Sequence, residues 1–302
     1  MKQIGWEYQR AAALCGLTAV GYLLCNLLLQ WGCSALLGMW VPGASLHNPA
    51  GISAGGAALL QLLVTAVSLA LPAWGAVRAG HVGRISWMPT GRAERHFWTP
   101  VFLGSAMLAN LAVSAIQIAV GRPPAAMMLP EGGWPLFFVF LALCPVAAVG
   151  EEYLFRGVLQ GLLRPLGGFT AVIGAAVPFA LLHGSLAQGA VAFVCGLVLG
   201  LCALNTGSIR LCIGLHLINN LLSFIAMYLA QYGDPVLAGV YQTCLLVVCP
   251  VWGIAVYLRR PRPAHSRPAA GGLGLRGLAY SPVYLLAMGT LALVCVLRTA
   301  GV

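Results

Sequence analysis

The sequence is dominated by apolar runs of about twenty residues, and most of its charged residues lie in the short gaps between those runs. Hydrophobic residues make up 60% of the 302 positions and charged residues only 7%. A soluble domain carries roughly 25% charged residues, so this chain cannot cover a folded core with a water-facing surface. The pattern predicts an all-α, polytopic membrane helical bundle and excludes soluble, disordered and fibrous proteins.

The apolar runs divide the chain into about nine predicted transmembrane helices, or eight to nine, in a single integral membrane domain over residues 1–302. The fifth and sixth runs are short, so each is expected to be strongly tilted or only partly spanning. The runs are 11–30, 56–77, 99–120, 135–155, 170–184, 188–204, 211–231, 236–258 and 279–298.

The basic residues predict an orientation, because Lys and Arg concentrate in cytoplasmic loops. With a cytoplasmic N-terminus, only Arg122 and Arg298 fall on the outer side. The other fourteen basic residues are then inside or near the inner face: Lys2, Arg10, Arg78, Arg84, Arg92, Arg95, Arg156, Arg164, Arg210, Arg259, Arg260, Arg262, Arg267 and Arg276. This placement beside membrane lipids accounts for the net charge of +10 without a nucleic-acid partner.

One pair of adjacent carboxylates, Glu151 and Glu152, lies near the predicted inner end of the fourth run. The helical pattern continues through Leu163, and a carboxylate near hydrocarbon usually faces a protein interior or a water-filled cavity. Glu152 and Arg156 are four residues apart with the acid first, which favours an ion pair. Glu151 projects about 100° away around the helix, so we predict that it stays free to act as a general base.

Two of the six histidines are embedded in apolar sequence. His183 ends one run, and His216 lies in another on the same helical face as Asn220. Asn219 is expected to point elsewhere and to bond a neighbouring helix. A carboxylate and an imidazole can hold and deprotonate water, while an imidazole and an amide can stabilise an oxyanion. Together these groups favour hydrolysis of an amide carbonyl.

Three short motifs on successive predicted helices resemble those of the CAAX-protease and bacteriocin-processing family of intramembrane proteases, also called the CPBP or Abi family. The resemblance covers residues 135–231 and implies an intramembrane endopeptidase core that opens toward the cytoplasm. In chain order, the motifs are Glu151-Glu152-x-x-x-Arg156, Phe179-x-x-x-His183 and His216-x-x-x-Asn220.

The resemblance also implies roles for these residues. Glu151 would activate the attacking water, His183 would help to bind it, and His216 with Asn220 would form the oxyanion site. The predicted catalytic set is Glu151, Glu152, His183, His216 and Asn220, with Arg156 and Phe179 in support.

A metal ion and the nature of the substrate remain open at this point. Glu151, His183 and His216 could ligate a catalytic zinc with an open position, but the chain lacks the H-E-x-x-H helix of many zinc proteases. We expect no cofactor, with zinc as the alternative. The expected substrate is a membrane-associated protein or peptide. The use of Arg in place of Lys, with abundant Ala, Gly and Leu, suggests a bacterial plasma membrane.

Two other functions use the same residues. Intramembrane Glu and His also serve in proton-coupled transporters. A non-catalytic scaffold or immunity protein would keep the same helical core. Gly196 and Gly200 form a small-x-x-x-small pair that allows close helix packing in any of the three.

Overall fold

Ten helices run through the part of the chain that the computed structural model describes, which is residues 2–42, 53–80, 82, 87–122, 128–260 and 274–301, and these ranges contain no β-strand. The prediction of an all-α bundle is therefore confirmed. The helices are α1 (Lys2–Trp40), α2 (Ala54–Ala79), α3 (Arg92–Ala119), α4 (Gly133–Leu166), α5 (Gly168–Leu181), α6 (Leu186–Thr206), α7 (Ile209–Tyr232), α8 (Pro235–Arg259), α9 (Leu275–Ala279) and α10 (Pro282–Ala300).

Eight helices of the described ranges are long and apolar enough to cross a membrane. Six of them correspond closely to predicted runs, but α1 and α4 are longer. Helix α1 continues to Trp40, beyond the predicted end at 30, and α4 has 34 residues and continues well beyond the predicted end at 155. The fifth predicted span is α5, which has only 14 residues. The sixth, α6, has 21 residues and is long enough to span, contrary to the expectation that it is short.

Helix α4 changes its winding twice, on either side of the two adjacent carboxylates. Residues Ala142–Val146 and Tyr153–Leu159 are π-helical turns, and the α-helical segment Ala147–Glu152 lies between them. Pro145, within the first turn, has no N–H with which to continue the α-helical hydrogen-bond ladder. Because π turns are frequent at functional sites, the segment between them, which contains Glu151 and Glu152, is a candidate functional segment.

Helices α5 and α6 pack closely against each other and against α4. A Cβ atom added to Gly196 would lie 3.2 Å from both Ala176 Cβ and Phe179 Cδ1 of α5. One added to Gly200 would lie 2.9 Å from Val172 Cγ1. The small-x-x-x-small pair therefore sits at a close approach of α6 to α5, and the backbone of α6 here is within reach of side chains from α4.

The bundle has a basic end and an opposite end. At the basic end the side chain of Arg10 donates to Ala79 O (3.3 Å), which joins the start of α1 to the end of α2. At the opposite end Leu186 N donates to Thr299 Oγ1 (2.9 Å), which joins the start of α6 to the end of α10. The alternating helices bring these described basic residues to the basic end: Arg10, Arg78, Arg92, Arg95, Arg164, Arg210, Arg259, Arg260 and Arg276.

Some residues of the charge prediction cannot be compared with the structure. Arg84, Arg262 and Arg267 lie outside the described residues, and only the backbone of Lys2 is described. Their side of the membrane stays a prediction.

Candidate active site

Glu152 is the fully buried centre of a polar cluster between α4 and α7. Its Oε1 atom accepts a hydrogen bond from Arg156 Nη1 (2.9 Å), the ion pair that the four-residue spacing predicts. The same oxygen accepts from His216 Nδ1 (2.8 Å). The second contact, between residues 64 positions apart, fixes the His216 ring and leaves its Nε2 facing away from Glu152.

Arg156 connects this cluster to α6. Its Nη2 donates to the backbone oxygen of Gly196 (3.4 Å), and its guanidinium carbon lies 4.3 Å from the centroid of the Phe179 ring, a cation–π contact. One turn further along α4, Gln160 Nε2 donates to the backbone oxygen of Gly200 (2.9 Å). The sequence analysis missed Gln160. The signal that could have found it is spacing, because Arg156 and Gln160 are four residues apart, as are Gly196 and Gly200.

Phe179 forms an apolar wall of the cluster. Its ring is buried and meets Phe155 edge-to-face at 4.9 Å, the His183 ring at 4.6 Å and the His216 ring at 6.2 Å. Contacts from both imidazoles converge on this one ring, so Phe179 sets the separation between them.

His183 lies just beyond the end of α5, where Gly184 takes a positive φ of 83° that ends the helix. Its Nδ1 is 2.6 Å from the backbone oxygen of Phe179. A carbonyl oxygen only accepts, so Nδ1 carries the proton. In the neutral ring Nε2 is then an acceptor, which suits His183 to bind a water molecule.

Glu151 is partly buried and makes no hydrogen bond through Oε2, which lies 3.9 Å from His216 Nε2. With His183 and Phe179 it lines a small chamber of about 60 Å³. A site of this size and polarity has room for a few water molecules. Tyr22 of α1 lines the same chamber, and the sequence analysis missed it because it is an ordinary interfacial residue type in an apolar run far from the motifs.

Asn220 is held at the first π turn of α4. Its Nδ2 donates to the backbone oxygen of Leu143 (2.9 Å), and its Oδ1 is 3.4 Å from Nδ2 of Asn219. Asn219 and Asn220 line one cavity together with His216. The expectation that Asn219 points elsewhere is therefore wrong, because the two adjacent amides lie on the same wide face of α7.

That cavity has a volume of about 700 Å³ and extends from His216 to the opposite end of the bundle, where Arg122 and Arg298 line it. An adjoining cavity of about 630 Å³ shares Asn110, Ser114 and Ser223 with it and is lined mainly by apolar side chains of α3, α7 and α8. The site thus has a polar lobe and an apolar lobe. His183 and Phe179 line both the polar lobe and the small chamber, so the two spaces adjoin.

The acid pair and the mouth of the large cavity, which is the opening lined by Arg122 and Arg298, lie at other positions along the bundle than expected. The acid pair lies near the middle of α4, not at its inner end, because α4 continues to Leu166. The cavity opens at the end that carries Arg122 and Arg298, the two basic residues that the charge rule places outside. This end is opposite to the one that carries the nine described basic residues of the basic end, whereas the expected site opens on their side. Which end is cytoplasmic stays a prediction.

A catalytic zinc site needs three protein donors that converge on one point. Within the described ranges, no three His, Cys, Asp or Glu side chains come close enough to hold one. The Nδ1 atom of each histidine is already hydrogen-bonded within the protein, which leaves only Nε2 of each ring for another ligand. The expectation of a reaction without a metal cofactor, with zinc as the alternative, stays a prediction.

Comparison with known proteins bears directly on the three motifs. Residues 133–222 match the model of the family described as type II CAAX prenyl endopeptidase Rce1-like. This segment resembles that family, as the motifs predicted. It contains every predicted catalytic residue. Searches of curated proteins and of solved structures found no match.

The match covers α4 to the middle of α7, and the family it describes is one of CAAX-type proteases. Tyr22, Arg122 and Arg298, which line the chamber or the cavity, lie outside it. The flanking helices therefore complete a site whose central residues lie in the matched segment.

Proposed function

We propose that the protein is an intramembrane endopeptidase that hydrolyses peptide bonds of membrane-associated proteins or peptides with a glutamate-activated water. One observation carries the proposal: an unpartnered carboxylate oxygen of Glu151 and the His183 ring share a water-sized chamber that adjoins a large cavity. A base, a water site and a substrate space are thus next to each other. The match to an Rce1-like protease family supports the same class of reaction.

In the proposed reaction, Glu151 takes a proton from a water molecule that His183 Nε2 helps to orient. The water oxygen bonds to the carbonyl carbon of a peptide group in the polar lobe, and the carbonyl oxygen becomes an oxyanion. Collapse of this intermediate breaks the C–N bond. Glu151 then returns the proton to the leaving nitrogen, so the products are a carboxylic acid and an amine.

His216 and Asn220 are proposed to stabilise the oxyanion. His216 Nδ1 already donates to Glu152, so a second donor at Nε2 requires the doubly protonated, positively charged ring. The buried Glu152 carboxylate stabilises that charge. Asn220 uses one amide hydrogen for Leu143 O, which leaves the other for the substrate. Donors fixed before the charge develops are the most effective kind.

The two lobes support a membrane-associated substrate. The apolar lobe is lined by Met107, Leu111, Met227 and Leu246, among others, and accommodates an apolar portion of the substrate. The scissile peptide group would then lie in the adjoining polar lobe, which His216 and Asn220 line. Amides are poorly solvated in hydrocarbon, and the polar lobe supplies partners for the substrate backbone.

The direct test is cleavage of a library of lipidated peptides by the purified protein in lipid nanodiscs. Replacing Glu151→Gln removes the base and is expected to lower the rate by a factor of about 10² to 10⁴. Glu131→Gln, at an exposed acid outside the site, is the matched control and should cleave at the wild-type rate. Equal cleavage by Glu151→Gln and wild type would refute the mechanism.

The two other functions predict different results in the same preparation. A proton-coupled transporter would move a solute or protons in sealed vesicles without cleaving any peptide. A scaffold or immunity protein would do neither. Cleavage that depends on Glu151, His183 and His216 selects the protease over both.

Metal dependence has its own test. We expect cleavage to be unchanged after prolonged dialysis against a strong chelator such as 1,10-phenanthroline, because Glu151, His183 and His216 do not form a three-donor site. The peptide cleavage rate before and after dialysis is the measurement. Loss of cleavage that added zinc restores would contradict this expectation and reinstate the zinc alternative.

A further inference from the structure

Two arginines that belong to none of the motifs line the mouth of the large cavity. Arg122 follows the end of α3, and Arg298 lies in the last turn of α10. Both side chains are exposed. They come from opposite ends of the sequence, and the fold brings them to one opening. Their joint position therefore needs an explanation that the membrane-topology rule alone does not supply.

Arg298 lies directly beside the loop that contains His183. A Cβ atom added to Gly184 would be only 3.4 Å from Arg298 Nη1. The neighbouring Thr299 accepts a hydrogen bond from Leu186 N (2.9 Å), which fixes the end of α10 to this loop. The guanidinium group is thus held close to a proposed catalytic residue.

Neither guanidinium is neutralised by the protein. In the described part of the chain, no Asp or Glu oxygen lies within 4 Å of Arg122 or Arg298. Asp234, an acid at this end, instead accepts from Val236 N and Leu237 N at the start of α8. Among the described residues that line the large cavity there is no Asp or Glu, so its mouth is positively charged.

We propose that Arg122 and Arg298 form a subsite for a carboxylate carried by the substrate. This inference rests on the proposed peptidase function and adds the substrate's charge to it. Arginine matches a carboxylate with paired N–H donors, and a charge at the mouth of a cavity with low-dielectric walls attracts the opposite charge strongly. The carboxylate is either the peptide's own C-terminus or an acidic side chain.

The subsite is tested by binding, so that its failure is distinct from failure of the catalytic proposal. Binding is measured on Glu151→Gln protein, which does not need to turn over. The probes are fluorescent, N-dodecanoylated peptide libraries without acidic side chains, synthesised either as C-terminal acids or as C-terminal amides. A third library has a C-terminal amide and one internal Asp, with the Asn version as its reference.

Binding to the protein in nanodiscs of zwitterionic lipid is expected to be about tenfold tighter for a charged library than for its neutral counterpart. Preference for the C-terminal acid identifies the terminus as the ligand, and preference for the Asp library identifies a side chain. The preference should disappear when Arg122→Gln and Arg298→Gln are added together. Arg210→Gln, at an exposed arginine of the basic end, is the matched control and should keep it.

Several outcomes would overturn the subsite. Equal binding of the charged and neutral libraries, or no binding of any library, would do so. A preference that survives the double substitution would show that other groups recognise the carboxylate. If anionic lipid abolishes the preference in protein that keeps both arginines, the two arginines would be assigned to lipid phosphates.

The catalytic readout is independent of the binding measurement. With a charged peptide that the wild-type protein cleaves, Arg298→Gln should raise KM by about tenfold and leave kcat within a factor of two. A fall in kcat at unchanged KM would indicate damage to the neighbouring His183 loop and would contradict the role in binding. Glu151→Gln should instead lower kcat, which separates the two proposals.

Discussion

At the scale of single residues, the site depends on one oxygen atom. Oε1 of Glu152 accepts from both Arg156 and His216 in a position without solvent exposure. The four-residue spacing predicts the arginine contact, because both residues share one helix. The histidine contact is not predictable in this way, since it joins α4 to α7 and depends on their packing. The sequence identifies the members of the cluster but not which carboxylate holds His216.

The substitution Glu152→Gln is expected to destabilise the protein by about 3–5 kcal/mol, because it leaves the buried Arg156 charge without a partner. The midpoint of thermal unfolding in detergent is the measurement, and it should fall clearly. Cleavage should fall as well, because His216 loses the acceptor that orients its ring.

A paired variant separates these two effects. Replacing the ion pair by apolar groups in Glu152→Leu with Arg156→Met should recover much of the lost stability. Cleavage should not return with it. Recovery of full activity in the double variant would show that Glu152 acts through stability alone.

At the scale of elements, the winding of α4 around the acid pair is not predictable from composition. Its two π turns flank Glu151 and Glu152, and the first supplies the Leu143 oxygen to which Asn220 bonds. Pro145 signals an irregularity there, but nothing in the second turn, Tyr153–Leu159, distinguishes it from regular helix. The apolar run predicts that a helix exists, whereas its winding follows from packing against α5, α6 and α7.

Arg156 and Gln160 of α4 donate hydrogen bonds to the backbone oxygens of Gly196 and Gly200 of α6. The close packing of α6 at these glycines leads to a prediction. Gly200→Ala would place a Cβ atom 2.9 Å from Val172 Cγ1 and 3.3 Å from Gln160 Oε1. Overpacking of this kind costs about 1–3 kcal/mol. We expect a lower unfolding temperature. We also expect a lower cleavage rate, because the added methyl group shifts α6, and Arg156 is hydrogen-bonded to the backbone of α6 at Gly196.

The control is Gly214→Ala in α7, where an added Cβ atom meets no other atom within 4 Å. This change should leave stability unchanged or raise it slightly, since alanine favours helix over glycine by about 1 kcal/mol. If both substitutions lowered the unfolding temperature equally, close packing at Gly200 would not be the cause.

At the scale of the whole molecule, apolar runs and basic residues predict most of the architecture. The runs predict the spans because hydrocarbon thickness fixes helix length. They do not predict where a cavity opens, because that depends on the angles between helices. Tyr22, Arg122 and Arg298 enter the site from α1, the end of α3 and α10, and no spacing in the sequence relates them to the motifs.

The positions of the cavity and of the basic end together predict which side of the membrane the mouth faces. If the basic end is cytoplasmic, the mouth opens on the other side. In sealed vesicles of known orientation, a cysteine introduced as Ala187→Cys at the mouth should react with a membrane-impermeant maleimide only from the non-cytoplasmic side. Asn205→Cys, at the far end of α6, should react only from the cytoplasmic side.

The reverse labelling of the two positions would contradict this topology. It would mean that the helices insert against the positive-inside rule. The unmodified protein, labelled in parallel, accounts for its native cysteines, of which Cys244 is exposed.

The small chamber beside Glu151 has a consequence for the order of events in a catalytic cycle. It has room for only a few water molecules, and Phe179 and His183 line both this chamber and the larger cavity. In the proposed reaction, an apolar substrate that fills the larger cavity displaces the neighbouring solvent, so hydrolysis draws on water already in the chamber. Each turnover would use one of these few molecules. The chamber must then be refilled within a few turnovers, at a stage when the product has left the larger cavity.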